Sequence, residues 1–593
     1  MRLEPKDRRA LVEAALGKRP FDLLIQNVQL VNVFTGEIYP AEVGIYDGFI
    51  AHVEANPDQE KRERSAMEAV ETFDGQGQFL APGFVDSHVH VESGMMTPAH
   101  YSEVVVPHGT TTIISDPHEI ANVLGIEGVE YMHEASESLP LRHFLLAPSC
   151  VPAVPEMEGA GAVFGVEEVS QLLDLERVIG IGEVMDYPGV INGSERMQAI
   201  LDLALKRDVF IQGHAPDVRG RDLSAYLCAG NESCHETRVG FNARQKIRYG
   251  LFVDARESSM SQNVSGIIEE TKGFDSPINL TICTDDREPK DLMELGHVSH
   301  GVREAVASGM DPVRAIRHAT LYPAKEVGMK NIGAIAPGYT ADLQILPDLE
   351  NFRPTAVFME GALVAKNGLC TVTVAKQKFE VETKNTMNLR IPDQSDLQIH
   401  AQGRRAKCHV IEYMSMNGAR TKLVEEWIPL VDGVLDLSKT DLYYVTIMNR
   451  HGTGDFAVGL VRGFGLKEGS VGSTVAHDCH NLSLIYRDPD EAIMIAETLQ
   501  KCGGGMAYAK NGTVQAVLEL PIAGILSAHP GKNVVKEIEI VSSGIREMGI
   551  NNQAPHMRAA TIALPVIPDV KMSDLGMIDV VKQEFIPIVV ETE

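Results

Sequence analysis

Between about residue 82 and residue 330, short apolar runs rich in Val, Ile and Thr alternate with longer amphipathic stretches. That alternation restricts the chain to parallel βα units. Eight strand-like runs can be counted: GFVDSHVHV, TTTIISDPHE, FLLAPSCVP, VIGIGEVMD, DVFIQGHAP, ESCHET, RYGLFVDARE and NLTICTDD. ESCHET has the weakest strand character. Segments such as ERMQAILDLALKRD and SGIIEETKG separate them, and HGVREAVASG and DPVRAIRHAT follow the last, all with helical apolar spacing. Eight βα units predict a (β/α)8 TIM-like barrel.

The flanks have a different texture. Residues 22–55 read as short alternating strands broken by Gly, Asn and Pro, and residues 332–375 return to the same pattern. The expected arrangement is a barrel (82–330) inserted in a small β-sandwich domain made of residues 1–81 and 331–384, followed by a separate C-terminal α/β domain at 385–593. One clear helix is expected there, DPDEAIMIAETLQKC, stopped by Gly503-Gly504-Gly505 as a C-cap rather than a phosphate loop, since the glycines follow a helix instead of opening one. The charge run EKRERSAMEAVE at 60–71 is expected to be a solvated loop or helix face, and Trp427, the only tryptophan, a core residue.

Bulk properties narrow the function. A net charge of -29 opposes binding to a phosphate backbone, so no nucleic-acid partner is expected. No run reaches the roughly 18 apolar residues that span a bilayer, and the charged N-terminus has no export-signal pattern, so no membrane partner is expected. Eight scattered cysteines without a CxxC pair fit a reducing compartment, and a cytoplasmic address follows.

In a parallel barrel the C-terminal ends of the strands converge on one mouth. The first strand ends in His88-Val89-His90, and alternation puts both imidazoles on one face, where they can share a metal ion. The fourth delivers Glu183, the fifth His214, the sixth region His235 and the eighth Asp285. A carboxylate can bridge two cations, so Glu183 can sit between a site of His88, His90 and Asp285 and a site of His214 and His235. Two cations about 3.5–4 Å apart generate a hydroxide at neutral pH.

The segments PGFVDSHVHVES, SDPHEIANV, IGEVMD, GHAP, CHE, TDD and PGYTADLQIL resemble the adenine deaminase family of the amidohydrolase superfamily. The likeness covers nearly the whole chain, including HDCHN in the C-terminal segment. It implies metal roles for His88, His90, Glu183, His214, His235 and Asp285, with manganese or iron(II) as the metal; imidazole and carboxylate donors accept zinc as well. It implies adenine as substrate: hydroxide attacks C6, N1 gains a proton and ammonia leaves. Asp285 is the first candidate to move the hydroxide proton to the leaving nitrogen, and Asp286 the neighbouring alternative. Glu119 is the candidate donor to N1, with His118 or Asp116 holding water or a further metal. The alternative for Asp116 is a cap on the helix beginning near Ile120. Glu92 and Ser93 are candidate substrate contacts. The cluster Ala476-His477-Asp478-Cys479-His480-Asn481 either closes over an active site, in this subunit or a partner, or binds another metal, or forms a local turn. A homodimer is the prior for an enzyme of this size. The rival readings are another aminopurine deaminase or a cyclic amidohydrolase on the same scaffold, and a non-catalytic binding protein of that fold.

Overall fold

A computed structural model describes residues 1–55, 67–238, 242–374 and 377–593. The barrel strands, numbered here from the first, are β1 (Phe84–His90), β2 (Thr110–Ser115), β3 (Arg142–Pro148), β4 (Val178–Val184), β5 (Phe210–Gly213), β6 (Ser233–Cys234), β7 (Phe252–Arg256) and β8 (Leu280–Cys283). They form a TIM-like barrel. Strands β1 to β5 pair in parallel in sequence order, and β6 to β8 form a second parallel arc. Glu232 stitches one seam: its N–H donates to the Ile211 carbonyl at 3.0 Å and its carbonyl accepts from Phe252 N–H at 2.9 Å. The other seam is closed by two residues beyond β8, Asp285–Asp286, which pair in parallel with Val89 and His90 of β1.

The strands β1, β2 and β3 are buried along their whole length, as expected where helices cover one face and the barrel interior the other. The helix Glu195–Arg207 shows how the outer layer packs. It buries Met197, Ile200, Leu201 and Ala204, one stripe at helical spacing, and exposes Glu195, Asp202 and Lys206. The weak sixth strand is a real strand of two residues, too short to carry a periodic signal.

Strands within residues 21–82 and 343–370 form one nine-stranded sheet. Phe79–Pro82 runs antiparallel to Leu343–Leu346, with Leu343 opposite Pro82, so the chain entering the barrel is hydrogen-bonded to the chain leaving it. The part of the 60–71 charge run before residue 67 lies outside the described residues. Its last residues open the strand Ala69–Asp74, not a loop or helix, because Val70 and Thr72 extend readily and pair beside Phe21–Gln26.

The C-terminal segment builds a ten-stranded sheet with two longer helices, Pro489–Cys502 and Gly531–Glu547. The second was not expected from sequence: its Val and Ile residues favour strands, but Val534, Ile538, Val541 and Ile545 fall on one buried face. Trp427 is half-buried rather than in the core, because the strand Thr421–Val431 turns that position outward and the Arg405 guanidinium covers the ring at 4.6 Å. Gly503 caps the first helix in the left-handed region at φ 89°. Gly505 has φ 134°, and a Cβ there would lie 1.9 Å from the Leu518 carbonyl oxygen. Gly505→Ala should therefore destabilise the protein by about 2–4 kcal/mol. A thermal unfolding midpoint equal to that of the parent would disprove the clash.

Candidate metal centre

The mouth of the barrel gathers all six residues expected to face one another. His88 and His90, two apart on β1, have ring centroids 4.8 Å apart. His88 Nε2 lies 3.3 Å from Asp285 Oδ1, and His90 Nε2 lies 3.4 Å from both Asp285 Oδ1 and Glu183 Oε1. The second Glu183 oxygen faces the other way, 2.5 Å from His214 Nδ1 and 3.1 Å from His235 Nε2. One carboxylate thus divides its two oxygens between two sets of imidazoles. His88 and His235 stack at 3.7 Å and 11°.

A second layer orients the rings. His90 Nδ1 donates to the Asp116 carbonyl at 3.0 Å, and His88 Nδ1 donates to Gln212 Oε1 at 2.7 Å, while the Gln212 amide donates to the Ser87 carbonyl. Both rings therefore present the Nε2 lone pair to the centre, the tautomer a metal ligand needs. His88/His90/Glu183, His88/His235/Asp285 and Glu183/His214/His235 each bring three potential ligand atoms within 4.8 Å of one another. Buried nitrogen and carboxylate donors in this arrangement fit divalent transition metals.

The two neighbouring aspartates diverge. Asp285, held at a left-handed φ of 59°, turns to the imidazoles, whereas Asp286 accepts a hydrogen bond of 2.6 Å from Ser93 Oγ. Asp285 Oδ2 is ion-paired with Arg256, whose guanidinium also lies 2.6 Å from Glu236. Burial alone would push the carboxyls of Asp285 and Glu183 up. Arg256 and the imidazoles hold Asp285 well below the usual carboxylate range, and His235 and His214 do the same for Glu183.

At the end of β2 the residues separate by task. Asp116 does not cap the following helix, His118–Leu124. Pro117 occupies that cap position, and the Asp116 carboxylate reaches across instead to accept the Glu183 backbone N–H. It also lies 3.3 Å from His118 Nδ1. Glu92 approaches that helix N-terminus, 3.4 Å from Ile120 N–H, and burial with the neighbouring Glu119 pushes its carboxyl up to about 8. Glu119 lines a cavity of about 480 Å³, a volume suited to a small ligand. Its walls combine His90, Glu183 and Asp285 of the barrel with Asn417, Arg420, His477 and Ile567 of the C-terminal segment. The HDCHN cluster therefore packs over the barrel of its own chain.

Gln212, Arg256 and Glu236 escaped the sequence reading. Gln212 was detectable as a polar residue in a buried strand, two positions before His214 and so on its face. Arg256 ends β7 as a charge at a strand terminus. Glu236 directly follows His235.

A parallel barrel with clustered imidazoles and acids at the ends of its strands defines a metal-dependent hydrolase of the amidohydrolase type. Residues 79–364 match the Amidohydrolase family and residues 419–584 the Adenine deaminase C-terminal domain. The chain is 39% identical to Adenine deaminase 2 of Carboxydothermus hydrogenoformans, over 98% of this chain and 99% of that protein. It is 38% identical to an adenine deaminase of Methanothrix thermoacetophila over the same shares, and 36% identical to one of Moorella thermoacetica over 98% of each. A solved β-aspartyl dipeptidase of Fervidobacterium islandicum AW-1 aligns with 60% of this chain at 18% identity and a TM-score of 0.45. The family assignment rests on the full-length relatives: the chain belongs to the adenine deaminase family.

Arg256 is the sole guanidinium paired with the acids of this centre among the described residues. Arg256→Gln should destabilise the metal-free protein by about 3–5 kcal/mol, the cost of leaving buried carboxylates without their cation. Urea unfolding of parent and variant with coincident midpoints would remove the pair from the account of stability.

Proposed function

We propose that this protein hydrolyses adenine to hypoxanthine and ammonia, in purine salvage, with a binuclear divalent metal centre held by His88, His90, Glu183, His214, His235 and Asp285. The observation that carries this reading is the Glu183 carboxylate, split between two sets of imidazoles in the wall of the cavity, in a chain that aligns end to end with adenine deaminases. Manganese or iron(II) is the metal proposed, and the donor set also accepts zinc.

The bound ions would supply an activated water at neutral pH as the nucleophile for C6. The remaining chemistry belongs to side chains. Asp285, kept ionised by Arg256, takes the water's proton and returns it to the departing amine. Glu119 delivers a proton to N1, which gains electron density as the ring loses aromaticity. Asp286, fixed by Ser93, contacts the purine edge. Asp116 and His118 brace the Glu183 backbone and the rim of the site, and Glu92 steadies the helix that carries Glu119. We further propose a cytoplasmic homodimer: all eight cysteines are free, which suits a reducing compartment. Among the described residues no helix is long and apolar enough to cross a membrane.

The test is conversion of adenine followed by purine absorbance and ammonia release, with manganese-loaded and metal-stripped protein side by side. Metal-dependent formation of hypoxanthine is expected. Ring opening without ammonia would replace deamination by cyclic-amide hydrolysis. Glu183→Gln should abolish turnover and lower the metal content, and Asp285→Asn should lower kcat by about 100-fold or more. Near-parental activity in either variant would overturn the assignment of that residue.

A further inference from the structure

The C-terminal cluster Ala476-His477-Asp478-Cys479-His480-Asn481 does more than cover the barrel. His477 Nδ1 lies 2.9 Å from Glu119 Oε1, and His480 Nε2 lies 3.8 Å from Glu119 Oε2. Asp478 Oδ1 lies 3.6 Å from His118 Nε2, and the Cys479 thiol points to Asn122 Oδ1 at 3.9 Å. Four residues of one short segment thus grip the helix that starts at His118. Glu119, His477 and His480 are all buried.

The grip is uneven. The His477 ring nitrogen is within ion-pair distance of Oε1 but poorly aligned with it, so Oε1 has no hydrogen bond directed at it, while both Glu119 and His477 line the cavity. A buried carboxylate oxygen with an imidazole at 2.9 Å but no aligned hydrogen bond keeps a lone pair open to a ligand in the cavity while a proton source stands beside it. His480 Nδ1 sits between the Ala476 N–H at 3.2 Å and the Thr474 carbonyl at 3.3 Å, which fixes the ring with Nε2 facing Glu119.

We propose that His477 is the positioning residue and proton store for Glu119: its imidazolium holds the carboxylate at the cavity wall and replaces the proton that Glu119 gives to N1. This rests on the reading of Glu119 given above. The proton moves from Nδ1 to Oε1 and on to N1, where it leaves with the lactam product. The consumed water restores one proton to the pair and gives the other to ammonia, so adenine plus water balances hypoxanthine plus ammonia.

The electrostatics agree with the geometry. Burial pulls His477 down, but the Glu119 carboxylate outweighs it and raises the imidazole to about 9. Burial takes His480 down to about 4, so it faces Glu119 as the neutral ring. The other charged groups that act on His477 are Asp286 and Asp478. A cation at this position also offsets the closeness of two buried acids, Glu92 and Glu119.

The experiment compares parent, Glu119→Gln, His477→Ala and His477→Gln, each purified with manganese. It reads kcat, KM, metal per chain and thermal unfolding, with and without added imidazole. His477→Ala should lose about 100-fold in kcat, with KM within about threefold of the parent, metal content unchanged and partial rescue by imidazole. His477→Gln keeps an N–H but has no proton to give; it should lose kcat comparably and gain nothing from imidazole. If His477→Ala does not fold, the glutamine variant still decides: parental activity there refutes proton storage. The proposal also falls if folded, metal-replete His477→Ala keeps kcat within about threefold of the parent or ignores imidazole, or if His477→Gln loses metal, which would make the histidine a ligand. If Glu119→Gln remains active, the reading of Glu119 itself is wrong; if only the His477 variants remain active, this inference alone fails.

Discussion

The pairing of Asp285–Asp286 with Val89 and His90 is the contact on which the rest depends. It closes the barrel between its last strand and its first, and it does so with residues that belong to the candidate centre. Closure places the Asp285 carboxylate beside the imidazoles of β1 and turns Asp286 toward Ser93. The left-handed backbone of Asp285 is the local cost, a conformation non-glycine residues adopt rarely and keep only where surrounding structure imposes it. Here the imposition is visible on both sides: Thr284 Oγ1 donates to Asp86 at 2.5 Å, and Arg256 is ion-paired with Asp285 Oδ2.

The division of Glu183 between its neighbours depends on the same closure. Its oxygens reach His90 on one side and His214 and His235 on the other only because β1, β4, β5 and β6 end at one level around the mouth. Asp116 then ties β2 to β4 through the Glu183 backbone, and Gln212 ties β5 to β1 through His88 and Ser87. These cross-barrel bonds make ring orientation a property of the sheet. A side chain oriented by two strands has fewer rotamers to lose when a ligand arrives, which is what preorganisation means physically.

The barrel was legible in the sequence because fully buried parallel strands leave continuous Val, Ile and Thr runs, and the ligand candidates because strand alternation places His88 with His90 on one face. What was hidden has a common cause: it depends on pairings between distant segments. Arg256 looks like any charged residue at the end of a strand until Asp285 and Glu236 are set against it. Asp116 precedes a proline and a helix, so a local cap stood as the alternative to a role in the site, and only the approach of β4 shows the backbone N–H that it accepts. The cluster around His477 was conspicuous, yet nothing local says that it meets Glu119, more than three hundred residues earlier. The helix Gly531–Glu547 was concealed differently, since β-branched residues lower helix propensity while tertiary burial of one face overrides it.

Charge balance explains why the C-terminal segment and the barrel must fold as one site. Glu92, Glu119, Glu183, Asp285 and Asp286 crowd the same mouth, and burial penalises every one of them in its ionised form. Within the barrel, Arg256 and the imidazoles answer Asp285 and Glu183. Glu119 lies beside the C-terminal segment, and its ionised form is stabilised chiefly by the His477 imidazolium from the other domain. A barrel without that domain would have to protonate Glu119 or let water reach it, and either change would alter the cavity where the reaction is proposed. Divalent ions bound among the remaining carboxylates would add the missing positive charge, so metal affinity and the stability of this mouth are linked quantities: ions that bind the folded state alone stabilise it in proportion to the logarithm of their free concentration over the dissociation constant.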